Sequence, residues 1–503
     1  MSRWTQLSGA TALAGIFAAS AVQADVTGQE VWSDWKSYME DFGYSVEGTE
    51  SRSGDTLTIS DLTMSFDIPQ DEGNVVMTMP ELTFTDQGDG TVLVGMPQKS
   101  SFKIDAESPE GDAVAIDVAI DMTGMSTVVS GEPNDMTYSY TAASLVVELA
   151  DFEVVGEDAP DDLQFVMTMD NLIGQSSMKI GDMREIEQNM SAAGVTYEVR
   201  IVDSSEDANV VITGAVDGLS FEGGGLVPIG IDMEDPEALF EAGFAMDGSF
   251  RQNGSEFQLT AVEDDQPVNV DMTSGGSEVE VAFSSEGIGY LGSGSDLSIN
   301  LVGGDVPFPI AFTLEEIGYE FEMPLAASEE EQDFALGLTF GGLSVPEMLW
   351  NIFDPSAILP RDPATLSFTL DGKTRIFTSL LDPSIEDSDE FPGELTALTL
   401  SDFVVEIAGA ELTGEGDFTF DNTDMDSFDG MPRPLGAAEF RLLGGNGLLD
   451  KLIQMGFVGE DDAMGARMMM GIFATPGPSE DELNSRIEVN ESGHVLANGQ
   501  RIK

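Results

Sequence analysis

From Thr56 onward the apolar residues of this chain recur at every second position for most of its length, and that period decides what the chain can become. Leu57 and Ile59, then Leu62, Met64, Phe66 and Ile68, alternate with Thr, Ser and Asp. Side chains two apart share one face of a β-strand, so each segment buries one face and leaves the other to water. The chain therefore reads as mainly β: one or more long curved antiparallel sheets with a few short amphipathic helices.

A local pattern recurs within this alternation. Leu57 to Met64 returns as Leu398 to Val405, with looser copies over 77–84, 147–154 and 312–319. Each has two alternating apolar residues, a break that includes an acid, and two more apolar residues with the parity shifted by one. A β-bulge would keep both pairs on one face while bending the strand. A short turn between two strands gives the same pattern, and the sequence leaves both open. The irregular spacing of the copies excludes a fixed-period solenoid.

Helices interrupt the alternation in few places. Thr27 and Glu30 form a capping box ahead of Val31, Trp35, Met39 and Phe42, which fall on one face, and Gly43 is a natural stop. Asp235-Pro236 opens a short helix near 236–243, and Pro346 opens another over 346–353 that ends at Asp354-Pro355. Residues 448–473 read as a helical pair. The chain closes in short strands joined by a tight Asn498-Gly499 turn. Acidic stretches at 327–333 and 384–394 read as loops rather than linkers, so no boundary is drawn within residues 25–503.

Residues 1–24 read as a secretory signal peptide. Arg3 supplies the positive start, Leu7 to Val22 the apolar stretch, and Val22-Gln23-Ala24 the small residues before a cleavage site after Ala24. That stretch is shorter than a membrane span and is broken by Ser8, Gly9, Thr11 and Ser20. The expected destination is the periplasm, with no transmembrane segment in the mature chain. The 503 residues contain no cysteine, so the expected stability comes from packing rather than disulfides.

Charge narrows the partners. With 93 acidic and 19 basic residues the net charge is −74, which repels nucleic acid and anionic surfaces alike. Between 201 and 360 Arg251 is the sole basic residue. Such a surface suits a saline habitat, and divalent cations are possible partners.

Motifs for catalysis fail on inspection. His494 is the single histidine, and no G-x-S-x-G elbow accompanies it. Asp371-Gly372-Lys373-Thr374 resembles the end of a phosphate loop, but Ser367 stands where its first glycine belongs. The alternation of Leu366, Phe368 and Leu370 points to a hairpin instead. Asp421 to Gly430 is acid-rich without calcium-loop spacing. Met464, Met468, Met469 and Met470 fit a methionine-filled core face better than a copper site. A transmembrane β-barrel shares the alternation, but the chain is poor in Trp and Tyr for interfacial girdles. No catalytic, cofactor-binding or metal-binding residue is assigned, and no cofactor is expected.

The C-terminal third resembles a family of exported bacterial proteins known as domain of unknown function 2125. The resemblance rests on Val345-Pro346-Glu347, Leu349-Trp350, Asp354-Pro355 and Leu359 through Leu366. It continues in Gly430-Met431-Pro432-Arg433-Pro434, Asn446, Leu448 through Leu452, Gly465 through Met468, and Asn498 through Arg501. It implies export and a β-rich fold and transfers no active residue. Arg361 and Arg433 are expected to pair with nearby acids such as Asp362 or Asp429. More loosely, the strands and N-terminal helix look like β-groove proteins of the bacterial envelope that handle lipids. The function expected is a non-enzymatic envelope scaffold whose apolar face binds lipid or another hydrophobic partner. A calcium-stabilised structural or adhesive module is the alternative, and a carboxylate-dependent polysaccharide hydrolase the second.

Overall fold

The computed structural model describes residues 26–503 except 69–72, 108–112, 156–159, 204–207, 232–235, 264–265, 305–307, 383–384 and 386–391. Residues 1–24, read above as a signal peptide, the helix-opening Asp235 and most of the 384–394 stretch lie outside the described residues. The described chain forms 26 strands in one antiparallel sheet, with five helices. The helices are α1 (Gly28–Asp41), α2 (Pro236–Glu241), α3 (Glu347–Phe353), α4 (Gly445–Met455) and α5 (Glu460–Phe473).

Connectivity is a meander of long strands. Asp135–Val155, Asp162–Ile180, Met183–Asp203 and Ala208–Pro228 pair each with the next. A strand of 21 residues, such as Asp135–Val155, spans about 70 Å. Other long strands are interrupted part-way. Ala245–Gln252 and Gly254–Glu263 pair with successive parts of Ala208–Pro228, and Val92–Gly95 and Lys99–Glu107 do the same along Gly73–Asp86.

These interruptions line up into a seam. Asp61 falls out of register opposite Pro80, Ala143 opposite Asn171, Ala193 opposite Gly218, and Asp296 opposite Glu315. Asp402 lies between register shifts on both of its sides. Asp61, Asn171, Gly218, Asp296 and Asp402 all have φ between 50° and 61°. Asp and Asn tolerate this left-handed conformation better than most residues, which explains the acid at Asp61 and Asp402 in the two closest copies of the sequence repeat; the acids of the looser copies do not adopt it. The parity shift is thus a β-bulge and not a turn, because Thr56–Ile68 and Gly393–Ile407 each continue through it as one strand.

Bulges bend strands, and a row of them folds the sheet into two wings. Across one wing the partners Met190, Phe221, Phe250, Val279, Gly292 and Tyr319 form a single row. Across the other run Val147, Met167, Tyr197, Gly214, Phe257 and Met272. Because the bulge restores parity, both rows lie on the same, inner side of the sheet. The outer side carries rows such as Asn189, Glu222, Ser249, Glu280, Leu291 and Glu320.

Asp371-Gly372 does not turn a hairpin: the strand Ala364–Ile376 runs straight through it. Gly372 faces the Phe334 ring across the strands, where an added Cβ would sit 2.1 Å from a ring carbon. Tyr140 over Gly174, Tyr197 over Gly214, Tyr319 over Gly292 and Phe440 over Gly414 repeat the arrangement at 2.2–2.4 Å. An aromatic ring laid across a strand glycine covers backbone that would otherwise be bare and fixes register.

The sheet stays open. Ser45–Ser53 pairs with Thr56–Ile68 alone, and no pairing joins it to the last strands, so the described strands do not close into a barrel. No described helix is long and apolar enough to cross a membrane.

Candidate functional site

The inner face is fully buried in one region, beneath α1. The capping box forms as the sequence indicates: the Glu30 backbone N–H donates to the Thr27 hydroxyl, and the Thr27 N–H donates to the Glu30 carboxylate at 2.9 Å. Gly43 follows the helix with φ +84°. Val31 and Trp32 are buried against Leu57, Ile59, Leu82, Phe84, Val92 and Val129. Trp35, Tyr38 and Met39 pack on the same cluster, as do Met64 and Met79 from beyond the seam. α1 therefore fills one end of the trough between the wings.

Within this apolar contact lies a buried polar network. Arg184, 3% exposed, donates from one guanidinium nitrogen to Asp34 at 3.0 Å and from the other to Asp41 at 3.3 Å. The Tyr138 hydroxyl donates to the second oxygen of Asp34 at 2.9 Å, and the guanidinium lies 5.1 Å from the centre of the Tyr38 ring. Trp32 donates its indole N–H to Glu50 at 2.8 Å. Burial, with the Asp34 carboxylate alongside, raises the Tyr138 hydroxyl far above its ordinary pKa, so it remains a donor. A buried guanidinium needs this complete set of partners, since losing one strands a charge out of water. A hollow of about 220 Å³ at the edge of the network is lined by Asp41, Phe42, Arg184 and residues 227–231.

Beyond α1 the inner face is uncovered. Away from hairpin tips, the inner positions from Met190 and Phe221 to Leu400 and Phe418 carry no charged side chain. Their side chains are mostly half-buried, and Met246, Phe250, Tyr319, Leu336 and Leu366 are exposed. The opposite face holds the charge. Arg251 meets three glutamates there, at 3.8 Å from Glu222, 3.9 Å from Glu280 and in direct contact with Glu278. Its hydrogen bond holds Glu278 below the usual carboxylate range, while burial and Glu278 push the neighbouring Glu280 above it.

The segments weighed for chemistry fall elsewhere. In the 421–430 stretch Asp421 receives Arg433 and Thr423, and Asp424 receives Ser427, so these carboxylates already have protein donors. Among the described residues no group of three or more His, Asp or Glu could hold a metal ion. Three of the four methionines expected in a core are on the surface, Met464 and Met468 each 65% exposed and Met469 with them, while Met470 is half-buried and only Ala463 of α5 is buried. Arg361 binds Glu347, Asn351 and the Asp354 carbonyl rather than Asp362. Arg433 binds Asp421 and Asp424 rather than Asp429. His494 lies just before the strand Val495–Ala497, its backbone N–H bonded to Asn490.

The Asp34–Arg184 network was not anticipated from the sequence, yet it left a trace. Asp34 falls among the apolar positions of its helix, and Arg184 shares strand parity with Ile186 and Met190. A charge set within each apolar face is the mark of a pair. Comparison of the chain with protein-family models, with curated proteins and with solved structures returned no match.

Proposed function

We propose that this chain is an exported, non-enzymatic envelope protein whose folded sheet holds the hydrocarbon chains of lipid. One observation carries the reading: a continuous inner face without charge spans strand after strand and is left uncovered beyond α1. Apolar surface of this extent in a water-exposed protein marks a binding site. Hydrocarbon chains suit it better than a peptide, because they bring neither charge nor backbone polar groups that an apolar trough would leave unpaired. Methionine and aromatic side chains adapt to ligands of variable shape. Export follows from the reading of residues 1–24 and places the protein where envelope lipids are handled.

The test begins with the mature chain, purified without detergent and analysed by native mass spectrometry and solvent extraction for bound lipid. Titration with diphenylhexatriene, a neutral polyene, then measures the trough directly. Saturable binding is expected. Leu338→Asp, which sets a charge between Tyr319 and Phe368 on the inner face, is expected to weaken it by about tenfold or more. A lipid-free chain that does not bind the polyene would sink the proposal.

A further inference from the structure

The two ends of the trough differ. α1 stops one end, held by Arg184. At the other, α5 runs through Thr475–Pro476 onto the strand Glu482–Val489, whose Leu483 and Ile487 face Leu442 and Ala438 and which is followed in the sheet by the short strands Val495–Ala497 and Gln500–Arg501. α5 is turned inside out for a helix packed on a protein. Met464, Met468 and Ile472, at i, i+4 and i+8, form a stripe that is 65%, 65% and 49% exposed. Phe457, in the turn before the helix, is 59% exposed. Arg467 donates to Asp450 and Asn446 of α4, which fixes the roll of α5 and keeps the stripe outward.

Resting on the trough reading, we propose that α5 is the membrane-facing mouth of the protein. Its Met464, Met468 and Ile472 stripe enters the interface of an electrically neutral bilayer, and lipid passes there into and out of the trough. Charge opposes a surface contact less at this end: residues 361–503 hold ten Lys and Arg against 27 Asp and Glu, whereas 201–360 hold one against 31. The surrounding acidity excludes an anionic bilayer as the preferred surface. A bilayer also fits the size of the stripe. One face of a 14-residue helix is far below the roughly 1,000 Å² of a stable protein interface, while interfacial partition needs only an apolar stripe and no matching shape.

The experiment is flotation of the full mature chain with phosphatidylcholine vesicles at high salt, beside the variant Met464→Ser/Met468→Ser/Ile472→Ser. The chain is expected to float with the vesicles, and the variant to lose about tenfold or more of the floating fraction while keeping its circular dichroism spectrum and bound lipid. Vesicles rich in phosphatidylglycerol are expected to capture less. A wild-type chain that stays at the bottom, or a variant that floats equally well, overturns the proposal. So does a wild-type dimer in sedimentation equilibrium that the variant abolishes, which would assign the stripe to a second copy. A chain that carries lipid or binds the polyene but does not float overturns this inference alone, whereas a lipid-free chain that does not bind the polyene overturns the trough reading itself.

Discussion

Arg184 and Asp34 lie 150 residues apart in sequence and 3.0 Å apart in space, and through them the strand Met183–Asp203 holds the first helix against the sheet. Both side chains are almost wholly withdrawn from water. Replacing Arg184 with Met leaves Asp34 buried without its counter-charge, and a loss of about 3–5 kcal/mol is expected for this class of change. Urea unfolding followed by tryptophan fluorescence checks it, since Trp32 and Trp35 are both on α1. The double variant Arg184→Met/Asp34→Leu is expected to recover part of the loss.

The seam gives a separate prediction. Asp296 and Asp402 have φ of 52° and 50°. Glycine at either position is expected to be neutral or mildly stabilising. Valine, whose branched side chain resists that backbone conformation, is expected to cost about 1–2 kcal/mol or more. Equal melting temperatures for the Gly and Val variants would show that the bulge carries no conformational preference.

Gly292 tests the ring-over-glycine contacts. An added Cβ would fall 2.2 Å from the Tyr319 ring, so Gly292→Ala must displace the ring from the strand it covers. A loss of about 1–3 kcal/mol is expected, as for other overpacked sites. Gly254, where an added Cβ would meet only the Ser274 carbonyl at 3.5 Å, is the control position.

Glu320 supplies the pH dependence. Burial, and after it the charge of Asp371, raises its pKa above the ordinary glutamate value. A carboxyl with a raised folded-state pKa favours the native state while protonated and loses that contribution as pH rises through the folded pKa. Glu320→Gln is therefore expected to raise the melting temperature at pH 7, with the gain vanishing as pH falls below the carboxylate range.

Net charge makes stability depend on salt. At −74 the folded chain repels itself, and sodium chloride from about 0.02 M to 1 M, which shortens the screening length to about 3 Å, is expected to raise the melting temperature steadily. Calcium and magnesium at equal concentration are expected to act alike, since no described cluster could hold a specific ion. A calcium-selective rise would support the calcium-stabilised reading instead.

Local patterns were legible in the sequence, and distant partnerships were not. Thr27 with Glu30 marked the start of α1, and Asn498-Gly499 marked the last turn, where both residues have positive φ. The parity shift around Asp61 and Asp402 pointed to the bend, because a bulge acts on residues adjacent in sequence. Asp371-Gly372 misled, since an Asp-Gly pair can serve a turn or clear space for a ring, and Phe334 lies far from it in sequence. Met464 and Met468 misled for a similar reason: periodicity reports that a helix has an apolar face, not what that face meets. Arg361 chose Glu347 over the adjacent Asp362 because the α3 turn brings that carboxylate and the Trp350 ring to it.

The meander also sets an order of assembly. Each long strand finds its partner in the one just made, so the sheet can grow by addition as the chain emerges N-terminus first. The opening helix is the exception. It is synthesised before any strand, and its guanidinium anchor arrives only with Arg184, after the chain has passed through Asp162–Ile180. Until then the earliest strands present an apolar surface whose cover is not yet fastened.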